Sequence, residues 1–149
     1  MSDARRMQLT GLHHHTLICA DASRSIAFYR DVLGLGVIRD GPSDDDPDTR
    51  HVWFGAADAS TGQLISIMEY PDLPEGVTGR GSTHHFALAV DSSEELDAWK
   101  DYLGEKDVEC SDIFERTGFR SLYVRDPDGH VVEIATRLPF TAERAPLTY

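Results

Sequence analysis

Two halves of this chain spell the same order of elements, and that repetition limits the fold more than any other feature. Each half reads strand, helix, then three strands. In the first, GLHHHTLIC (residues 11–19) is rich in β-formers and predicts the opening strand. Asp21, Ala22 and Ser23 supply capping chemistry, Ile26, Tyr29, Val32 and Leu33 recur at helical spacing, and Gly34 stops the helix. LGVIRD follows as a strand. GPSDDDPDT predicts a loop, because its carboxylates repel and its prolines lack a donor N–H. Asp44, Asp45 and Asp46 read as a solvated turn, since the spacing and glycine of a calcium loop are missing. RHVWFG and QLISIMEY complete the half.

STHHFALAVD opens the second half, with Phe86, Leu88 and Val90 forming a bulky face opposite His85, Ala87 and Ala89. Ser92 and Glu95 make a capping box, Leu96, Trp99 and Leu103 form the helix's buried stripe, and Gly104 is expected to end it. DVEC predicts a short strand, SDIFERTG a loop, FRSLYVR a strand, DPDG a turn and HVVEIAT the last strand. The expected fold class is α+β, built from two βαβββ modules at about 11–70 and 81–137 in a single domain, 11–137. Residues 138–149 show no firm periodicity and are expected to form a C-terminal tail.

Charge and composition exclude several classes of partner. A formal net charge of -12 argues against nucleic acid and against anionic membrane surfaces, both of which recruit clustered Lys and Arg. Trp53, Phe54 and Trp99 have no basic residues interleaved with them, so they are core side chains rather than a platform for bases. No apolar run approaches the ~20 residues of a membrane span, and the opening MSDARRMQLTGL has no apolar signal region. Cys19 and Cys110 match no CxxC pattern and read as reduced thiols. A soluble, cytoplasmic protein is expected, in a compartment that suits ferrous iron.

Three side chains carry the chemistry. His14 stands seven residues before Asp21 and His85 six before Asp91, so each half offers one histidine at an equivalent place. Glu133 lies in the last strand between Val131, Val132, Ile134 and Ala135, where a carboxylate needs a partner. Two imidazoles and one carboxylate form the donor set of a facial triad, which leaves half of an octahedral ion open. Tyr123 shares a face with Glu133 only if the connection between their strands is odd, Asp126 to His130; a four-residue turn, Asp126 to Gly129, would turn it away.

LHHHTLICAD, SIAFYRDVLGLGV, THHFALAVD and LYVRDPDGHVVEIAT resemble the vicinal oxygen chelate superfamily, which includes glyoxalase I, fosfomycin resistance proteins and extradiol dioxygenases. The resemblance spans about residues 11–137 and implies an incomplete barrel of two βαβββ modules around a metal. ERTGFRSLYVRDPDGHVVEIATRLPF and DDPDTRHVWFG are similar to segments of hydroquinone-type ring-cleaving dioxygenases. That likeness implies Fe(II) held by His14, His85 and Glu133, with Mn(II), Zn(II) or Ni(II) as alternatives. It also implies catalytic roles for His13, Thr16, His84, Arg116 and Tyr123 toward a small aromatic substrate and dioxygen. Arg116 stands where catechol enzymes place a histidine, which favours a hydroquinone-like substrate. The hydroquinone enzymes are about twice as long, with four modules instead of two.

Each role has a plainer counterpart. Arg116 could hold a substrate oxyanion or pair with Glu115 or Asp112 at the surface. Tyr123 could donate to a substrate oxygen or be an edge aromatic. His13 and His84 alternate away from the ligand face in ideal strands, whereas Thr16 shares the face of His14. Ala87 and Ala89 leave room for a ring. A glyoxalase-type lyase or isomerase needs a carboxylate opposite Glu133, where counting from Gly62 and Gly129 places Ser66; Glu69 could serve only if the register slips. A fosfomycin-type transferase needs a lysine that SDIFERTG lacks, and a non-enzymatic resistance protein would not need the three ligands. Exposed sheet edges point to a homodimer.

Overall fold

Alternation and helical spacing each find a partner surface, so both halves build a sheet with a helix against it. A computed structural model describes residues 9, 11–56 and 63–137. The expected tail, 138–149, lies outside the described residues. In the first half β1 (His15–Cys19), a helix α1 (Ala22–Ile26), β2 (Gly36–Pro42), β3 (Arg50–Gly55) and β4 (Gln63–Glu69) follow in order. In the second come β5 (Phe86–Val90), α2 (Ser93–Glu105), β6 (Phe114–Arg116), β7 (Phe119–Arg125) and β8 (Val131–Thr136). The sheets are open, with strand orders β1-β4-β3-β2 and β5-β8-β7-β6. The opening strand of each half pairs parallel to its last, and the remaining pairs are antiparallel. The chain divides into two compact units between residues 73 and 74, so each half is one βαβββ module.

Each sheet buries one face. Leu17, Cys19, Val52, Phe54, Ile65 and Ile67 fill the first module's core with Phe28 and Tyr29; Leu122, Val124, Val132 and Ile134 do so in the second with Leu96 and Leu103. Side chains of successive strand residues point to opposite faces. The other face of each sheet therefore carries Thr16, Trp53 and Ser66 in the first module and Ala87, Tyr123 and Glu133 in the second.

Several expected boundaries move. Asp21 caps α1 by accepting from the N–H groups of Ser23 (2.9 Å) and Arg24 (3.2 Å). After one turn, however, the helix widens into a π-helical segment, Ala27–Val32, in which Leu33 donates to the Phe28 carbonyl at 3.0 Å. The wider turn brings Phe28 onto the buried face beside Tyr29, which regular helical spacing did not foresee. Strand β2 runs on through Gly41 and Pro42, expected as loop; β2 is an edge strand, where a missing N–H costs little.

In the second module Ser92 Oγ accepts from the Glu95 N–H at 3.1 Å, while the Glu95 carboxylate reaches back to the Asp91 N–H at 2.7 Å. Gly104 does not end α2, which continues to Glu105. The stop comes at Asp107, whose φ of 53° is one that Asp tolerates better than most residues. DVEC forms no strand, only a bridge between Cys110 and Val124. SDIFERTG is not a plain loop. It contains β6, which turns back through Thr117 and Gly118 (φ 86°) so that Arg116 pairs with Phe119. Among the described residues no helix is long and apolar enough to cross a membrane.

Candidate metal centre

The turn after β7 decides what Glu133 can touch. The Asp126 carboxylate accepts from the N–H groups of Asp128 (3.0 Å) and His130 (2.8 Å), and Gly129 supplies a φ of 89°. The Asp126 N–H donates to the His130 carbonyl at 3.0 Å, closing a five-residue connection. Arg125 therefore pairs with Val131, and Tyr123 stands opposite Glu133. Of the two registers open to the sequence, the odd connection is realised.

Glu133 is 5% exposed, and both of its oxygens are engaged. Tyr123 Oη donates to Glu133 Oε1 at 3.0 Å, and His85 Nε2 lies 3.1 Å from Glu133 Oε2. Arg116 Nη2 donates to Tyr123 Oη at 3.2 Å, with its guanidinium 4.7 Å from the centre of the Phe114 ring and 5.8 Å from that of Tyr123. His85 meets Tyr123 edge to face at 5.7 Å, and its Nδ1 lies 2.7 Å from Nδ1 of His84. One polar chain thus runs Arg116, Tyr123, Glu133, His85, His84. The acids that could have claimed Arg116 are engaged elsewhere: Glu115 pairs with Arg120 at 2.8 Å, and Asp112 lies 4.0 Å from Lys100.

The first module repeats the frame with other side chains. His13 Nδ1 and His14 Nδ1 are 2.7 Å apart. Their rings sit 5.0 Å apart at 74°, against 5.0 Å and 79° for His84 and His85. The ideal-strand alternation expected to turn His13 and His84 away does not govern these two positions. Both precede the first paired residue of their strands, so the alternation of the ladder does not bind them. Thr16 Oγ1 and Ser66 Oγ are hydrogen-bonded at 2.9 Å.

Register identifies the counterparts. Ser66 pairs with Thr16 and Trp53, as Glu133 pairs with Ala87 and Tyr123. Ser66 therefore occupies the carboxylate position, as counting predicts. Glu69 does not replace it, because it pairs with Cys19 and its Oε2 accepts from the Ala22 N–H at 2.6 Å, capping α1.

Two residues escape sequence reasoning. Trp53, expected as core, lies on the ligand face with its ring 4.6 Å from His14 and 4.7 Å from His51. His51 Nε2 is buried without a hydrogen-bond partner. Burial pushes the His51 pKa below its ordinary value, with Arg39 and His14 adding to the effect and Asp44 and Asp45 opposing it. The alternation of RHVWFG contains the signal, since His51 and Trp53 share one face while Val52 and Phe54 fill the core.

The donor chemistry suits a divalent cation. Two adjacent ligands at about 2.1 Å from an octahedral ion are about 3.0 Å apart, close to the separation of His85 Nε2 and Glu133 Oε2. With Nδ1 of His14 and His85 engaged by His13 and His84, Nε2 is the nitrogen each could offer a metal, and that of His85 lies against Glu133 Oε2. Among the described residues no three His, Cys, Asp or Glu side chains are gathered into a group that could hold a metal ion. Beside Glu133, Ala87, Ala89, Ala135 and Phe119 line an open hollow of about 400 Å³.

Comparison with known proteins extends this geometry. The model of the Glyoxalase/Bleomycin resistance protein/Dioxygenase superfamily matches residues 11–134. Over 137 residues the chain is 31% identical to a Bacillus subtilis (strain 168) protein named "Putative ring-cleaving dioxygenase MhqA", an alignment covering 92% of this chain and 42% of that protein. A crystal structure described as a "putative dioxygenase" from the same bacterium superposes with a TM-score of 0.76 at 29% identity, covering 86% of this chain and 41% of that one. A single-substitution mutant of the fosfomycin resistance protein FosX of Listeria monocytogenes, complexed with Mn(II) and 1S,2S-dihydroxypropylphosphonic acid, superposes with a TM-score of 0.63 at 28% identity. That match covers 85% of this chain and 92% of FosX. The chain spans about two fifths of the dioxygenase-type relatives and nearly all of FosX.

Proposed function

Because the chain belongs to the glyoxalase/bleomycin resistance protein/dioxygenase superfamily, we propose that it is an Fe(II)-dependent ring-cleaving dioxygenase acting on a hydroquinone-like aromatic, with residues 11–137 as its functional domain. His14, His85 and Glu133 are the ligands in this reading. The observation that carries it is Ser66: at the place where a second carboxylate would complete a four-ligand, lyase-type set, the chain has a hydroxyl already bonded to Thr16. Three protein ligands leave positions for both a substrate oxygen and dioxygen.

When bound, the ion would supply the positive charge that eases loss of a phenolic proton and the path by which ring electrons reach dioxygen. The chain's own groups do the rest. Tyr123 occupies Glu133 Oε1, so the carboxylate offers Oε2 alone on the side of His85. Arg116, always charged, steadies the Tyr123 oxygen and remains exposed enough to meet a substrate oxyanion. With His85 Nε2 given to the metal, its Nδ1–H donates to His84 Nδ1, so His84 orients the ligand and keeps a proton on its own Nε2, a hydrogen-bond donor toward a substrate or dioxygen oxygen. His13 performs the same orienting task for His14, and the Thr16 hydroxyl offers a hydrogen bond to a substrate oxygen. The alanine-lined hollow beside Glu133 accommodates the ring.

Anaerobic reconstitution with Fe(II), followed by oxygen-uptake assays on hydroquinones, catechols and gentisate, tests the reading. Uptake stoichiometric with loss of a hydroquinone is expected. Metal-dependent turnover of methylglyoxal hemithioacetal without oxygen uptake would overturn it. A fosfomycin-modifying activity is the second reading, favoured by the match to nearly the whole length of FosX; thiol- or water-dependent loss of fosfomycin in the same preparation would establish it. The exposed edge strands also support a homodimer, which light scattering reads as twice the 16.6 kDa chain mass.

A further inference from the structure

We propose that Trp53 is a positioning residue for the metal site, holding the plane of the His14 imidazole, and that His51 holds Trp53 in turn. The inference rests on the reading of His14 as a ligand. His14 precedes β1, whose pairing with β4 begins only at His15 opposite Ile65. No ladder therefore fixes its backbone, and its ring direction depends on side-chain contacts. In the second module the equivalent His85 is held at Nε2 by Glu133 and at its edge by Tyr123. At the matching position the first module carries Ser66, whose hydroxyl is engaged by Thr16.

Trp53 fills that gap. It stands opposite Ser66 as Tyr123 stands opposite Glu133, and its ring lies 4.6 Å from that of His14 at 59°. On β3 two residues earlier, His51 meets the same indole at 4.7 Å and 40°. The indole of Trp53 thus touches both imidazoles, that of His14 and that of His51. A ligand imidazole held this way loses less freedom when it coordinates, which is how groups outside the ligand shell raise metal affinity.

Cobalt(II) titration of the full chain, followed by visible absorption and by thermal melting of the metal-free protein, tests the inference. Replacing Trp53 by Leu should weaken Co(II) binding about 10-fold and alter the ligand-field bands, and Trp53→Phe, which keeps a ring, should restore both to near the wild-type values. His51→Leu should produce a smaller change in the same direction. A Trp53→Leu protein that melts lower yet binds Co(II) with unchanged affinity and spectrum would overturn the inference and leave Trp53 a packing residue. His14→Ala separates the two claims. If it too binds cobalt as the wild type does, the ligand assignment fails; if it loses binding while Trp53→Leu does not, only the role of Trp53 fails.

Discussion

The two modules share one backbone plan and differ in the charge of the face that plan presents. In the second, four equivalent positions carry Tyr123, Glu133, Ala87 and Ser121; in the first they carry Trp53, Ser66, Thr16 and His51. One face thus holds a buried carboxylate wired to an arginine through a phenol, and the other an indole against imidazoles and a pair of hydroxyls. Duplication alone would give two histidines and two carboxylates. In the proposed reading, the departure from symmetry at Ser66 leaves three ligands instead of four, the number that keeps positions open for a substrate oxygen and dioxygen.

The comparison breaks most sharply at Glu133. Glu133→Gln preserves the shape but removes the charge, and it is expected to weaken Fe(II) binding by about 100-fold or more and abolish oxygen uptake. Isothermal titration under anaerobic conditions, beside the oxygen electrode, reads both. Unchanged affinity would show that this carboxylate serves only to partner Tyr123.

Restoring the symmetry is the next largest test. Ser66→Glu would give the first module the carboxylate that the second has, at a position matched by register and opened by removing the Thr16 bond. The expected outcome is retained or tighter metal binding with oxygen-dependent turnover reduced about 10- to 100-fold, because an open position is filled. Steady-state turnover with metal content measured in the same sample decides it. Oxygen uptake equal to the wild type would mean that Ser66 does not face the metal.

Much of this asymmetry was legible in the sequence, and its limits have physical causes. Capping chemistry at Ser92 and Glu95, the strands RHVWFG and FRSLYVR, and the Ser66 count depend on neighbours within a few residues, and each is found where local rules place it. The Tyr123 register stayed open because one residue in a turn, fixed by Asp126 accepting from two backbone N–H groups, reverses every side chain on the strand. The strand β6 was hidden because its three residues, all exposed, carry no buried alternation and become a strand only by pairing with Ser121, Arg120 and Phe119. His51 drew no reading and Trp53 was read as core because their partners, on β4 and before β1, lie more than ten residues away in the chain.

A smaller effect separates the phenol from the arginine behind it. Tyr123→Phe deletes the bond to Glu133 Oε1 and should cost about 10-fold in metal affinity, whereas Arg116→Lys retains charge but loses the planar fork and should act on turnover more than on affinity. Measuring Kd for the metal and kcat for the substrate on both variants sharpens the division between holding the ligand and meeting the substrate. Equal losses in both quantities for both variants would erase it.

The smallest expected effect concerns stability and belongs to the first module alone. Burial depresses the pKa of His51 from its ordinary 6.5, Arg39 and His14 favour the neutral ring further, and Asp44 and Asp45 oppose them. The unfolded chain therefore binds a proton at this residue more readily than the folded one does, so stability rises with pH through this range. The contribution of neutral His51 is complete above pH 6.5 and is lost as pH falls from there through the depressed value. Urea melts of the chelated protein at pH 7.5 and pH 5.5 should show the wild type losing more stability on acidification than His51→Gln, by an amount on the order of 1 kcal/mol or less. Parallel losses in the two proteins would assign the acid sensitivity to other groups and leave the buried Nε2 as an unpaired atom with no titration behind it.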